Sequence, residues 1–291
     1  LKIMKKNRFE GSVSDYFEHL NGMPKMTLPQ TDAGRAAYIE TATEYIRDME
    51  KRLPDFFSVI PKKPVVARAV EKDRENYGMM PGAAFYTSPP LVGPEPGVFY
   101  SNLVRMDKQP LWSLESVTYH ESIPGHHMQI ALTQENQSVP DFRRSYFFSG
   151  YNEGWALYAE TLAKEMGVYP EGDYGDVGRL FWELKRAVRL VVDTGFHYKR
   201  WTIEQSAQYI ADHFNASPES AISEMERYAN WPGQALSYKL GQLEFQRLRR
   251  QSEKELGNKF DIREFHSLVL KDGVVPFDLL EQRVMNWIES K

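Results

Sequence analysis

From Asp32 onward apolar residues recur at helical spacing: Ala36, Ile39, Ala42, Tyr45, Ile46 and Met49 share one face. The pattern predicts a helix through Arg52, with Asp32 as its N-cap. Leu53-Pro54 is expected to end it, because the residue before a proline disfavours the α region. Leu1 to Lys25 is polar and irregular and predicts no firm element. Between Lys62 and Asn102 the texture changes. Val65–Val70, Gly82–Thr87 and Gly97–Ser101 are short and rich in β-branched or aromatic residues, with Pro89, Pro90, Gly93, Pro94 and Pro96 between them. That reads as three strands of a small sheet. After Trp112 the helical spacing returns, over segments near 112–123, 126–136, 143–166, 176–199, 202–214, 217–228, 233–256, 261–271 and 277–289.

The expectation is a mainly α protein with a small β-sheet, built as one domain over 1–291. Its parts are an N-terminal helical segment (1–61), a β element (62–110) and a helical region (111–291). Lys+Arg number 36 against Asp+Glu 40, a net charge of −4, which removes the electrostatic footprint of a nucleic-acid binder. No run of about 18 apolar residues is present to span a membrane. Cysteine is absent, so disulfides, thiolate nucleophiles and Cys-ligated metals are excluded. A metal site must use His and carboxylates. The chain begins with Leu1, which suggests a processed form or a fragment: exported if a signal was removed, otherwise cytoplasmic.

Three of the seven His fall at His120, His126 and His127, in the run His-Glu-Ser-Ile-Pro-Gly-His-His. Zinc hydrolases use His-Glu-x-x-His on a helix, where the four-residue spacing aims both imidazoles at one ion and the Glu serves as general base. Here position i+4 is Pro124, so the strict motif fails. Pro124 cannot donate to residue 120, and Gly125 permits a bulge. If Pro-Gly is a two-residue insertion, His126 takes the place of the second His. His127, on the ideal-helix face, is the alternative. Catalytic zinc takes three protein ligands. The next acidic helix offers Glu153, with Gly154 beside it for close approach. Glu160 lies two turns on along the same face and suits a supporting role behind a ligand.

The segments 120–129, Asn-Glu-Gly-Trp-Ala-Leu-Tyr-Ala-Glu (152–160), Arg-Leu-Val-Val-Asp-Thr-Gly-Phe-His (189–197) and Trp-Pro-Gly-Gln-Ala-Leu-Ser-Tyr-Lys-Leu-Gly (231–241) resemble the bacterial "domain of unknown function 885" family. The match runs from about Ala83 to the C-terminus. Members are usually about twice as long, so the chain looks like the C-terminal, metal-bearing half. The family is similar to gluzincin peptidases, with a helical architecture like that of Taq-type carboxypeptidases. The resemblance implies a zincin-like domain with one zinc ion held by His120, His126 and Glu153, and Glu121 as base. It implies no particular substrate.

Arg186, Arg189, Asp193 and His197 form one helical stripe. His197 is a candidate to donate to a reaction intermediate or anchor a substrate carboxylate, and Asp193 to orient a ligand His; a structural network is the even alternative. Related architectures place a phenol near the metal as oxyanion donor, a role assigned first to Tyr238 and then to Tyr228. The strand carrying Phe99 and Tyr100 lies just upstream of the metal helix and is a candidate to pair with an extended peptide, with an ordinary structural strand as the even alternative. The expected chemistry is metal-assisted hydrolysis of a peptide or small amide. Its rivals are a non-catalytic metal-clamped binding or structural domain and a hydrolase of a non-peptide amide or ester.

Overall fold

A computed structural model describes residues 1–76, 84–170, 172–214 and 216–291. Helices α1 (Lys2–Lys6), α2 (Val13–Asn21) and α3 (Asp32–Phe56) precede strands β1 (Val65–Ala69), β2 (Ala84–Thr87) and β3 (Gly97–Ser101). Then follow α4 (Leu111–Glu121), α5 (His126–Glu135), α6 (Asp141–Arg144), α7 (Ser149–Glu165) and α8 (Tyr174–His197). The chain closes with α9 (Ile203–Phe214), α10 (Pro218–Asn230), α11 (Gln234–Leu256), α12 (Ile262–Leu270) and α13 (Phe277–Glu289). The protein is mainly helical with one small mixed sheet, as expected.

The differences from expectation have local causes. In the N-terminal stretch that promised nothing, Ser12 and Asp15 form a reciprocal capping box that starts α2. Tyr16, Phe17 and Leu20 then pack on Trp112 and Val177. The N-cap of α3 is Thr31, whose hydroxyl accepts from Gly34 N at 3.1 Å, not Asp32. The helix runs through Pro54 to Phe56, its last turn held by burial of Leu53 and Phe57. The segment foreseen as one helix over 143–166 is two, because Phe142, Tyr146 and Phe147 face solvent and give the intervening stretch no buried stripe. Of the second predicted strand, Gly82 and Ala83 lie outside the described residues.

The strand order is β1-β3-β2, with β1 parallel and β2 antiparallel to β3. This corrects the reading of the third strand. β3 is central, so its backbone groups are consumed on both sides and it has no edge to offer a peptide. Phe99 is fully buried in the main core, and Tyr100 stacks on Phe85 with ring centroids 5.1 Å apart. Phe99 is thereby committed to the core.

One large apolar cluster joins α3, the sheet, α4, α5, α7 and α11 to α13 around Trp155, Tyr119 and Phe245. Within it α7 crosses α11 at glycines. A side chain on Gly241 would begin 2.0 Å from Gly150 O and 2.6 Å from Gly154 Cα. Gly241→Ala is therefore expected to destabilise the protein by about 1–3 kcal/mol, the cost of overpacking outweighing the helix-propensity gain of about 1 kcal/mol. Chemical unfolding midpoints check this, and an unchanged midpoint would mean the helices have room to part.

Candidate metal centre

Pro124 and Gly125 separate two helices. α4 ends at Glu121 and α5 begins at His126, as the separate segments near 112–123 and 126–136 led one to expect. The turn between them is tight. A side chain on Gly125 would start 2.0 Å from His120 O, so only glycine fits against the end of α4. Trp155 Nε1 donates to Pro124 O at 2.9 Å and pins the turn to α7. This geometry brings His120, from the last turn of α4, face to edge with His126, the first residue of α5, their centroids 4.8 Å apart.

Glu153, in the first turns of α7, closes the group. Its Oε2 lies 3.5 Å from His120 Nε2 and 3.5 Å from His126 Nε2. The three ligand atoms all fall within 4.8 Å of one another, and the three side chains are 4%, 12% and 13% exposed. Bonds of about 2.0–2.1 Å at a tetrahedral centre separate ligand atoms by roughly 3.3 Å. Two of the three separations sit close to that spacing and at the outer limit of a hydrogen bond. Two imidazoles and one carboxylate are also the donor set of hydrolytic zinc sites. The residues fit a divalent ion.

The electrostatics agree. Burial alone would lower the His120 imidazole, but the carboxylates of Glu153 and Glu160 outweigh it and raise it to about 9. Burial would raise Glu153, yet bonding to His120 and His126 holds it well below the ordinary carboxylate range. The site is thus poised for positive charge. Glu121 is pushed up by burial, with His120 and His126 pulling the other way, which places its carboxyl in the field of both imidazoles.

Behind His120, Nδ1 donates to Glu160 Oε1 at 2.7 Å, and Ser116 Oγ donates to Glu160 Oε2 at 2.6 Å. With Nδ1–H fixed on Glu160, Nε2 is the ring nitrogen that faces Glu153 and would give up its proton to hold an ion. Glu160 stands where the supporting carboxylate was expected. Ser116 was missed; it lies one helical turn before His120 on the same face, which is a readable signal. His126 Nδ1 is buried with no hydrogen-bond partner among the described residues.

His127 turns away. Its Nε2 donates to Lys63 O at 2.9 Å, and Tyr86 OH donates to Nδ1 at 2.8 Å, so it ties α5 to the β element. Burial lowers it to about 4, keeping it neutral. Tyr238, in the second turn of α11, lies parallel to the His120 ring at 6.4 Å. Gln234 Nε2 donates to its phenolic oxygen at 3.1 Å, leaving the O–H proton for another acceptor. Burial and the nearby Glu153 carboxylate raise its pKa, so the phenol stays protonated at neutral pH.

The α8 stripe divides. Arg189 bonds Glu224 and Tyr228 OH and lies 4.8 Å over the Tyr238 ring. Tyr228 is thereby committed to Arg189 rather than to the centre. His197 Nε2 donates to Tyr228 O at 3.0 Å, so its donor is spent within the fold. Asp193 accepts from Gly233 N at 3.3 Å, and its Oδ2 lies 3.9 Å from His197 Nε2. It orients no ligand imidazole, since Glu160 holds His120 and, among the described residues, nothing holds Nδ1 of His126.

Fold and site together define a helical protein with a His-His-Glu group, bridging three helices, that could hold a metal ion. The chain belongs to the family of bacterial proteins of unknown function designated DUF885, which matches residues 1–284, so the likeness extends over the N-terminal helices as well. Two solved structures described as putative lipoproteins are similar. One, from Colwellia psychrerythraea, has a TM-score of 0.94 and 40% identity over 99% of this chain and 49% of its own. The other, from Shewanella oneidensis and of unknown function, has a TM-score of 0.67 and 20% identity over 98% of this chain and 55% of its own. The chain spans about half the length of each. No curated protein matches it. No described helix is long and apolar enough to cross a membrane.

Proposed function

We propose that this chain carries a zinc-dependent hydrolase site of the zincin-like, gluzincin type, acting on peptide bonds. The observation that carries the reading is the convergence of His120 Nε2 and His126 Nε2 on one oxygen of Glu153, with Glu160 fixing His120 from behind. A divalent ion held there supplies Lewis-acid polarisation and makes a water molecule acidic near pH ~7. Glu121, next to His120 in sequence, takes the proton of the attacking water and delivers it to the departing amine nitrogen. Tyr238 donates its O–H to the oxygen of the substrate carbonyl as negative charge builds on it. Arg189 and Gln234 hold the phenol in place. The similarity to lipoproteins supports an exported protein that meets its substrate outside the cytoplasm.

Adjacent histidines provide the test. His126→Ala is expected to abolish stoichiometric zinc binding, measured by elemental analysis after dialysis, whereas His127→Ala retains zinc and loses thermal stability through its lost ties to Lys63 and Tyr86. Zinc retained by His126→Ala would overturn the ligand set. Turnover of a mixed peptide library by the zinc-loaded parent separates a peptidase from a hydrolase of other amides or esters. Zinc binding without any hydrolysis would favour a structural clamp.

A further inference from the structure

Arg186, also on the α8 stripe, is buried with its side chain 9% exposed, yet it is sparsely bonded. Nη1 reaches Trp182 O at 3.4 Å, and Nε is buried with no hydrogen-bond partner among the described residues. The guanidinium is bracketed by two rings, Trp182 at 4.7 Å and Tyr238 at 5.5 Å. A cation desolvated with so few hydrogen bonds opposes folding more than it favours it, so stability does not account for its presence. Among the described residues its charge has one acidic neighbour at ion-pair distance: Nη2 stands 3.9 Å from Glu160 Oε1, the oxygen that receives His120 Nδ1–H. Glu160 is itself 1% exposed, so the attraction acts through a poorly screened interior.

Arg186 therefore touches both halves of the site: the carboxylate that aims His120 and the ring of the candidate oxyanion donor. We propose that Arg186 is a positioning residue, its buried guanidinium anchoring the Glu160 carboxylate behind His120 and bracing Tyr238 against that same imidazole. The inference rests on the metal-site reading given under Proposed function. The chain of contact runs Arg186, Glu160, His120, and only the last would touch an ion. Groups bonded directly to a metal ligand, as Glu160 is to His120, typically change metal affinity by about 10–100-fold when replaced, and Arg186 acts one contact further out.

The experiment is a zinc-affinity series on metal-free protein, by competition with a chromophoric chelator. It compares the parent, Arg186→Met, Arg186→Lys, Glu160→Gln and the Glu160→Gln/Arg186→Met double variant. Arg186→Met is expected to weaken zinc binding by up to about tenfold, less than Glu160→Gln does, and Arg186→Lys to recover most of the loss. The double variant should bind no more weakly than Glu160→Gln alone, because Arg186 acts through the charge that Gln removes. The metal-free unfolding midpoint of Arg186→Met should stay near that of the parent, a result a purely structural arginine would not give. Parental affinity in Arg186→Met, additive losses in the double variant, or collapse of the metal-free fold would each overturn the proposal. If His126→Ala abolishes zinc binding while Arg186→Met leaves it intact, only the role of Arg186 falls. If zinc binding survives His126→Ala, the metal-site reading itself fails and takes this inference with it.

Discussion

Glu121→Gln should bind zinc like the parent and lose turnover by about 10²–10⁴, the usual contribution of a positioned general base. The asymmetry follows from placement. Glu121 closes α4 next to His120 but is not among the three groups whose atoms converge. The ligand set therefore survives the change. Gln matches the size and hydrogen-bonding reach of Glu but cannot accept a full proton, so the loss isolates proton transfer. Paired measurements of zinc content and initial rates on the mixed peptide library decide it. Rates within a few-fold of the parent at full zinc content would remove Glu121 from the mechanism, and loss of zinc would make it a ligand instead.

Much of the centre was legible because its parts are local. The His-Glu pair, the break at Pro124-Gly125 and the Glu153/Glu160 repeat are each set within a few residues, and the helices carrying them follow from three- and four-residue spacing. Even Ser12 and Asp15, read too cautiously, form a local capping signal. What escaped depends on chain segments far apart. β3 is central because β1 comes alongside it from some thirty positions upstream, an arrangement that strand composition does not encode. His127 is decided by Lys63 and Tyr86 from the β element, whereas spacing on an ideal helix had kept it in contention for the metal. The α8 stripe carries the same lesson. Charges at helical spacing read equally well as a wet face or as a catalytic row. Here Asp193 and His197 close a turn against Gly233 and Tyr228, while Arg186 and Arg189 lie over Tyr238.

Tyr238→Phe tests the other half of the proposed chemistry. Phe retains the ring that lies along His120 and under Arg189, so zinc affinity and substrate KM are expected to hold. Only the phenolic proton is lost. If that proton meets the carbonyl oxygen as charge develops, kcat should fall about 10²–10³, as when other oxyanion donors are removed. An interaction made only in the transition state lowers kcat and kcat/KM together, which separates this role from one in binding. A smaller structural cost is also expected, since Gln234 Nε2 loses its acceptor in a buried setting while Gln234 Oε1 still receives Arg227. Leaving such a donor unpaired costs about 1–3 kcal/mol, visible as a lower unfolding midpoint. Tyr228→Phe provides the contrast: it strips Arg189 of a partner at 3.2 Å without removing a donor from the centre. The two effects should therefore separate, with the large fall in kcat confined to position 238. A drop in kcat at 228 equal to that at 238 would mean that both phenols act by holding Arg189, and the oxyanion donor would have to be sought elsewhere around the ion.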